Sequence, residues 1–163
     1  MPTLKLRQRL LSLGEDFDVT DDAGRRVYKV DGKLLRIRET FVIEDTEGKE
    51  VATIRQKLIA VRETMRITRD GKTIASIRKA LIAPFRDKWM IDVEGGKDLV
   101  AKGDILDHEY ELLRDDETIA TVSKRWFTLR DTYGIDIREG EDAGLIVAVA
   151  VAIDEMVHDE EKS

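Results

Sequence analysis

A strand–turn–strand unit of about two dozen residues recurs along the chain, and this repeat constrains the fold more than any other feature. In each unit, two segments of alternating apolar residues flank a turn that contains Asp or Gly. The first segments of the five complete units are Phe17–Val19, Phe41–Ile43, Met65–Ile67, Met90–Val93 and Tyr110–Leu112. Alternation with a period of two is typical of strands, and short Asp/Gly turns join antiparallel hairpins. Each unit is therefore predicted to be a β-hairpin.

Half units stand at the two ends of this array. Leu6–Leu10 is similar to Ile54–Leu58, the second strand of a unit, whereas Tyr133–Ile137 is similar to a first strand such as Phe17–Val19. If these halves pair, six hairpins form a ring without exposed edges, which are the part of a sheet most prone to aggregate. The sequence thus predicts a mainly β fold, a closed antiparallel barrel of about twelve strands.

An apolar run, Ala143–Val157, follows the last strand, and no residue from Ala143 to Ile153 can carry a charge. The run is shorter than the roughly 20 residues that span a bilayer. Because about eight strands give a lumen that side chains can just fill, a wider ring needs something inside it. We therefore predict a central hydrophobic helix at about 142–157, capped by Glu141 or Asp142. A strand is the alternative, since Val and Ala alternate. Residues 1–158 would form one domain, followed by a frayed acidic tail at 159–163.

The composition excludes several classes of function. A formal net charge of −6 opposes non-specific binding to nucleic acid, so no nucleic-acid partner is expected. The absence of cysteine excludes disulfides, thiol catalysis and zinc–thiolate sites. Because Met1–Gly14 lacks the apolar segment of a signal peptide, we expect a cytoplasmic protein, with peripheral contact to a membrane as an option. A monomer without a cofactor is expected.

Catalytic motifs are missing from the sequence. The chain has four serines and two histidines but no G-x-S-x-G motif, no Walker loop and no dinucleotide-binding fingerprint. The protein is therefore predicted not to be an enzyme. Asp104, Asp107, His108 and Glu109 could together hold a divalent cation, but a polar start of a strand is the favoured interpretation and no metal site is predicted.

Basic residues recur beside the core positions of the second strands. The positions predicted to bind phosphate or lipid headgroups are Arg36, Arg38, Arg55, Lys57, Arg78 and Arg125. Since neighbouring residues of a strand point to opposite faces, Arg55 and Lys57 point outward if Ile54 and Leu58 point inward. Such a surface could bind phosphates through paired donors or contact an anionic membrane. The alternative is an ordinary solvated surface whose charges pair with nearby acids.

The inward positions between these basic residues are polar or small. They are Gln8, Gln56, Lys79 and Lys124, together with Gly32 and Gly103. A layer at the mouth of the barrel, where lysine extends to solvent, is the favoured interpretation. A small-ligand pocket beside the helix is the alternative.

Several stretches carry a resemblance to a known family. They are Gln8–Gly14, Val30–Lys33, Gly103–Tyr110, Val122–Phe127, Asp131–Asp136 and Gly140–Asp142. In these stretches and their order, the sequence resembles the LURP-one-related family over essentially the whole chain. The fold of that family is shared with the tubby C-terminal domain and the phospholipid scramblases. The resemblance implies a twelve-stranded barrel that encloses a hydrophobic C-terminal helix.

The same resemblance suggests a function. Tubby-like domains bind phosphoinositide headgroups through basic residues of the barrel, so this chain is expected to bind phospholipid headgroups or an anionic membrane surface. The short apolar run departs from the scramblase pattern, and lipid scrambling is not expected. The alternative is a cytoplasmic protein-interaction or stress/regulatory module with no lipid role.

Overall fold

The structure is a computed structural model that describes residues 3–8, 17–21, 23–34, 39–57, 64–79, 88–105, 109–124 and 132–162. These described residues form twelve strands followed by one helix. The strands are β1 Thr3–Gln8, β2 Phe17–Thr20, β3 Arg26–Leu34, β4 Glu39–Glu44, β5 Glu50–Lys57, β6 Thr64–Arg69, β7 Lys72–Lys79, β8 Lys88–Val93, β9 Leu99–Asp104, β10 Glu109–Arg114, β11 Glu117–Ser123 and β12 Thr132–Ile137. The helix, α1, is Ala143–Lys162.

Every strand pairs antiparallel with its neighbours in the chain, and the first strand also pairs with the last. Leu6 of β1 lies opposite Val19 of β2 on one side and opposite Tyr133 of β12 on the other. The strand order therefore runs around a closed barrel. The predicted mainly β, antiparallel sheet with one C-terminal helix is confirmed, and the two half units of the sequence are the strands that pair.

Tight turns gather at one end of the barrel, which we call the turn end. They connect β2 to β3, β4 to β5, β6 to β7, β8 to β9 and β10 to β11. In the β4–β5 turn, the Asp45 carboxylate accepts the backbone N–H groups of Glu47 and Lys49, both at 2.9 Å. Gly48 has a φ of 82°, which strongly favours glycine. The opposite end, where β1, β3, β5, β7, β9 and β11 finish, is called the loop end.

The helix is buried on all its sides through two turns. Residues Ile146–Ile153 are at most 2% exposed and form one hydrophobic cluster with the inward residues of the strands. The helix packs against β5, β6, β7 and β12. A helix that is apolar all round is expected to be buried, so the helical interpretation is correct and the alternative of a strand is wrong.

The helix is longer than the sequence suggested. It continues to Lys162, five residues beyond the expected end at Val157, and so includes most of the segment expected to be a frayed tail. Glu and Lys are strong helix formers, and no Gly or Pro follows Ile153 to stop the helix. The 20 residues correspond to about 30 Å of helix.

The start of the helix is fixed by its first residues. The Asp142 carboxylate accepts the backbone N–H of Leu145 at 3.1 Å, which is the geometry of an N-terminal cap. Of the two predicted capping residues, Asp142 is therefore the cap. A Cβ added at Gly144 would lie 2.3 Å from Cγ1 of Val51, so only glycine lets the helix approach β5 this closely.

Candidate anion-binding face

Positive charge is concentrated on three adjacent strands. β5, β6 and β7 together carry seven basic residues and one acidic residue, Glu50, in a chain with a formal net charge of −6. The turn end is acidic by contrast, with exposed Glu47, Glu94, Asp115 and Asp116 in its turns. The barrel is thus electrostatically asymmetric, and its basic part lies on β5, β6 and β7.

Arg66 lies at the centre of this basic region. It follows the buried Met65 and precedes the buried Ile67, so its side chain faces outward, where it is half-buried. In register it stands opposite Arg55 of β5 on one side and opposite Ser76 of β7 on the other. Like charges directly opposite each other destabilise a sheet, so an anion bound at the Arg55–Arg66 pair would offset the repulsion.

Arg66 makes no ion pair within the part of the chain that the structure describes. Arg66 is not among the residues predicted from the sequence, because the predicted basic positions lie on the second strands of the units. The sequence shows that Arg66 lies on a first strand. Only the strand register shows that it stands directly opposite Arg55.

Arg78 and Lys57 extend the same region by one row toward the loop end. Both stand opposite Thr64 of β6, one from each side. Arg78 is exposed and forms a 3.4 Å ion pair with Asp92, in which both side chains are 45% exposed. Such an exposed pair contributes little stability and is easily exchanged for another anion. Two residues along a strand correspond to about 6.7 Å, and adjacent strands are about 4.8 Å apart.

We name the outward positions of these strands near the loop end the basic face. It consists of Arg55, Lys57, Arg66, Ser76 and Arg78, which stand on neighbouring outward register positions of β5, β6 and β7. For Arg55 and Lys57 the structure describes the backbone only.

The remaining predicted headgroup-binding residues are not tested by the structure. Arg36, Arg38 and Arg125 lie outside the described residues.

At the turn end, Arg114 and Arg138 form ion pairs. Arg114 donates to both carboxylate oxygens of Glu141, at 2.8 and 2.9 Å, and Arg138 reaches Glu141 at 3.1 Å and Glu117 at 3.2 Å. The hydrogen bond from Arg114 is the largest cause that holds the pKa of Glu141 below its usual range.

Arg69 also forms an ion pair, at the start of the helix. It binds the Asp142 carboxylate with both terminal nitrogens, at 3.1 and 3.2 Å, and donates from Nε to the Val51 carbonyl at 2.7 Å. These arginines hold the start of the helix to the barrel. Arg66 lies on the same strand as Arg69 but has no such ion pair among the described residues, which sets it apart as a candidate for binding.

Five positions of the predicted mouth layer stand opposite a large apolar or aromatic residue on the neighbouring strand. Gln8, Gln56 and Lys79 stand in register opposite Phe17, Met65 and Trp89, while Gly32 and Gly103 stand opposite Phe41 and Tyr110. Each polar or small position near the loop end is thus paired with a large one. Lys124 is exposed just after β11, and its backbone N–H donates to Glu109 at 2.9 Å. Whether these positions bind a ligand stays a prediction.

Tyr110 and Tyr133 are buried in the barrel. Burial is the main cause that raises the pKa of Tyr110 and Tyr133, and the charge of Asp154 adds to it. The Tyr110 hydroxyl has no hydrogen-bond partner among the described residues. Both hydroxyls therefore stay protonated at neutral pH.

The acidic cluster near β10 is only partly described. Asp104 and Glu109 are register partners, and Glu109 accepts hydrogen bonds from the Ser123 hydroxyl at 2.7 Å and from Lys124. Asp107 and His108 lie outside the described residues. Within the described ranges, no three potential ligands group closely enough to hold a metal ion.

The fold and this site define a class of protein, a single antiparallel β-barrel domain with one buried C-terminal helix and a basic outer face. A family model of LURP-one-related proteins matches residues 2–154, so the chain belongs to the LURP-one-related family and the resemblance inferred from the sequence is confirmed.

Two individual proteins are similar to this chain. The protein YxjI of Bacillus subtilis (strain 168), which is described as uncharacterised, is 26% identical over 159 residues, covering 98% of this chain and 81% of that protein. An X-ray structure of an Arabidopsis thaliana protein superimposes with a TM-score of 0.70 at 16% identity, covering 94% of this chain and 91% of that one. The second similarity shows a shared fold.

The buried helix does not have the properties of a membrane span. In the described part of the chain, no helix combines the length and the apolar character needed to cross a bilayer.

Proposed function

We propose that this protein is a non-enzymatic, tubby-like domain that binds anionic phospholipid headgroups through its basic face. The observation that carries the proposal is that Arg55 and Arg66 stand opposite each other in register. Arg66 forms no ion pair among the described residues. A headgroup phosphate placed there relieves the repulsion between the two arginines.

The chemistry of the basic face suits a phosphate monoester or diester. A guanidinium donates two parallel hydrogen bonds to phosphate oxygens, and the Ser76 hydroxyl stands directly across from Arg66 as a further donor. Arg78 can leave its exposed pair with Asp92 for a second phosphate. Each basic residue near an anionic surface contributes about 1 kcal/mol, so the four basic residues together supply about 4 kcal/mol.

The charge distribution also orients the barrel. Acidic side chains such as Glu47, Glu94 and Asp116 cover the turn end, which an anionic surface repels. The protein therefore approaches such a surface with the basic face and the loop end, as a peripheral rather than an integral membrane protein.

Vesicle co-sedimentation tests the proposal. The wild type is expected to sediment with phosphatidylcholine vesicles that contain phosphatidylserine or a phosphoinositide, but not with phosphatidylcholine alone, and to be released as salt screens the charges. Arg66→Glu, and the pair Arg55→Glu with Lys57→Glu, should each abolish sedimentation. The matched control is Lys49→Glu, an equal charge reversal at an exposed residue of the turn end.

Two outcomes contradict the proposal. The first is binding that is absent or indifferent to lipid charge. The second is equal loss of binding in Lys49→Glu and Arg66→Glu, which would mean that net charge alone matters. If Arg66→Glu instead removes a protein partner without changing lipid binding, the alternative of a protein-interaction module is correct.

A further inference from the structure

The outer surface of β8, β9 and β10 carries a contiguous apolar row, which consists of Met90, Val100 and Leu113. Met90 stands opposite Val100 in register, and Val100 stands opposite Leu113. All three side chains are half-buried, and none of them belongs to the hydrophobic core cluster. Val42, a half-buried outward valine of β4, stands instead between polar register partners. Because the solvent-facing side of an antiparallel sheet is normally polar, a contiguous apolar row indicates a surface that a partner covers.

The charges that flank the apolar row differ between its two sides. Each residue of the row has a charged residue two positions away in the chain toward each end of the barrel. Toward the loop end these are two lysines and a glutamate, Lys88, Lys102 and Glu111, and toward the turn end they are three aspartates, Asp92, Asp98 and Asp115. Since both signs are present, neither a uniformly anionic nor a uniformly cationic surface complements the whole region. An apolar centre inside a polar rim is instead the usual arrangement of a contact between two proteins.

A second copy of the chain matches this charge pattern. In a symmetric dimer both copies use the same surface, so the pattern has to complement itself. A two-fold axis along the apolar row places each of its residues opposite the same residue of the other copy and exchanges the two flanks. Lys102 then lies opposite Asp98 of the second copy, and Lys88 lies opposite Asp92 of the second copy. By symmetry, each of these contacts between opposite charges is made twice.

The other axis that a face-to-face dimer could use fits the charges poorly. An axis along β9 would place Lys102 opposite Lys102 of the second copy and Asp98 opposite Asp98, so like charges would meet at the centre. With the axis along the row, Glu111 and Asp115 are the flanking residues that face a like charge. Asp115 already forms an ion pair with Lys97, which offsets part of this repulsion. The charges therefore select the axis along the row.

We infer that the apolar row is the centre of a weak homodimer whose two-fold axis runs along the row. This inference goes beyond the proposed function and departs from the monomer expected from the sequence. Three adjacent strands span only about 10 Å, so the contact belongs to the small, transient class of interfaces, with a dissociation constant on the order of 0.1–1 mM. The row continues in register to Arg78 of β7, and rotation about an axis in that direction leaves the two basic faces on the same side of the dimer.

Sedimentation equilibrium of the full chain tests the dimer. Between about 20 μM and about 1 mM, the average mass of the wild type should rise from the 18.6 kDa of the monomer toward twice that value. Val100→Lys places a charge at the centre of the contact and should stay a monomer throughout. The matched control is Val42→Lys, the same change at a half-buried outward position that lies outside the row, which should associate like the wild type.

Two results of this measurement would overturn the inference. One is a wild type that keeps the mass of the monomer at about 1 mM, the upper end of the expected range. The other is equal association of Val100→Lys and the wild type. Because the measurement contains no lipid, either result leaves the headgroup proposal intact, and a failure of vesicle binding in turn leaves the dimer intact.

A charge exchange tests the direction of the axis. In a homodimer of Lys102→Glu or of Asp98→Lys, like charges meet at both copies of this contact, so each variant alone should associate about tenfold more weakly at low salt. In a mixture of the two variants, both contacts again join opposite charges, and association should recover. No recovery on mixing would refute the axis along the row. Circular dichroism checks that Asp98→Lys is folded, because Asp98 also accepts a hydrogen bond from the backbone N–H of Val93.

Cross-linking covers the case in which a charged variant does not fold. The chain contains no cysteine, so Val100→Cys introduces a single thiol at a position that faces its own copy across the axis. Packed sheets lie about 10 Å apart, and a bismaleimide of that span should join two copies of Val100→Cys into a covalent dimer. Val42→Cys, the control outside the row, should stay monomeric on the same gel. Absence of the covalent dimer at Val100→Cys, or an equal yield at Val42→Cys, would contradict the inference.

Discussion

Placing a charge in the middle of the helix tests whether the helix is the core of the barrel. Val149 is completely buried, as are the flanking Ala148 and Ala150. In Val149→Lys an ammonium group would lie in an apolar interior without a partner, which costs several kcal/mol. Since domains of this size are stable by about 5–15 kcal/mol, we expect Val149→Lys to be largely unfolded.

A graded variant makes the expected magnitude measurable. Val149→Ala removes two buried methyl groups at about 0.8 kcal/mol each, and the cavity left behind brings the loss to about 2 kcal/mol. With a urea dependence of about 2 kcal/mol per molar, the unfolding midpoint should fall by about 1 M. Far-UV circular dichroism and tryptophan fluorescence should report the same transition.

The control is Thr46→Lys, which adds the same charge at an exposed turn residue and should leave the midpoint unchanged. If Val149→Lys unfolds at the same urea concentration as Thr46→Lys, the helix does not form the core and the packing argument fails.

Three further predictions concern the start of the helix. Gly144→Ala should destabilise the protein by about 1–2 kcal/mol in a urea titration, because overpacking against Val51 outweighs the gain in helix propensity. Adding Val51→Ala should restore the lost stability. Stabilisation by Gly144→Ala would contradict the close contact between the helix and β5. Asp142→Ala should cost about 1 kcal/mol in the same assay, and Asp142→Asn should cost less because it keeps the cap. Arg114 holds the pKa of Glu141 below its ordinary value of 4.5. The ionised Glu141 carboxylate therefore stabilises the folded state fully above pH 4.5, and this stabilisation is lost as the pH falls through the lowered pKa. Urea midpoints measured from about pH 6 downward should therefore fall less steeply with pH for Glu141→Gln than for the wild type. Identical slopes for the two proteins would contradict this reasoning.

Local patterns predicted most of the fold. The Asp–Gly turns are specified by their own residues, as the Asp45 turn shows, and alternation identified the segments that form the strands. The two half units predicted which strands pair across the ends of the chain, because a half hairpin leaves an unsatisfied edge.

Features that depend on distant residues could not be predicted. Arg69 and Asp142 are 73 residues apart, and nothing local to either indicates that they form an ion pair. The apolar run does not mark the end of the helix at Lys162, because helix propensity continues into the charged residues that follow the run.

The candidate site shows the same division between local and distant information. Alternation placed Arg55 and Arg78 on the outer surface, but the importance of Arg66 depends on which residue of β6 stands opposite Arg55. A slip of one residue would exchange the faces of β6 and bring Arg66 into the core. The barrel excludes this slip, because Met65 and Ile67 are fully packed around the central helix and the ring has no free edge along which a strand could shift. The packing of the core therefore fixes the pairing of the two arginines on the surface, and a variant that loosens the helix should weaken anion binding even though it lies far from the basic face.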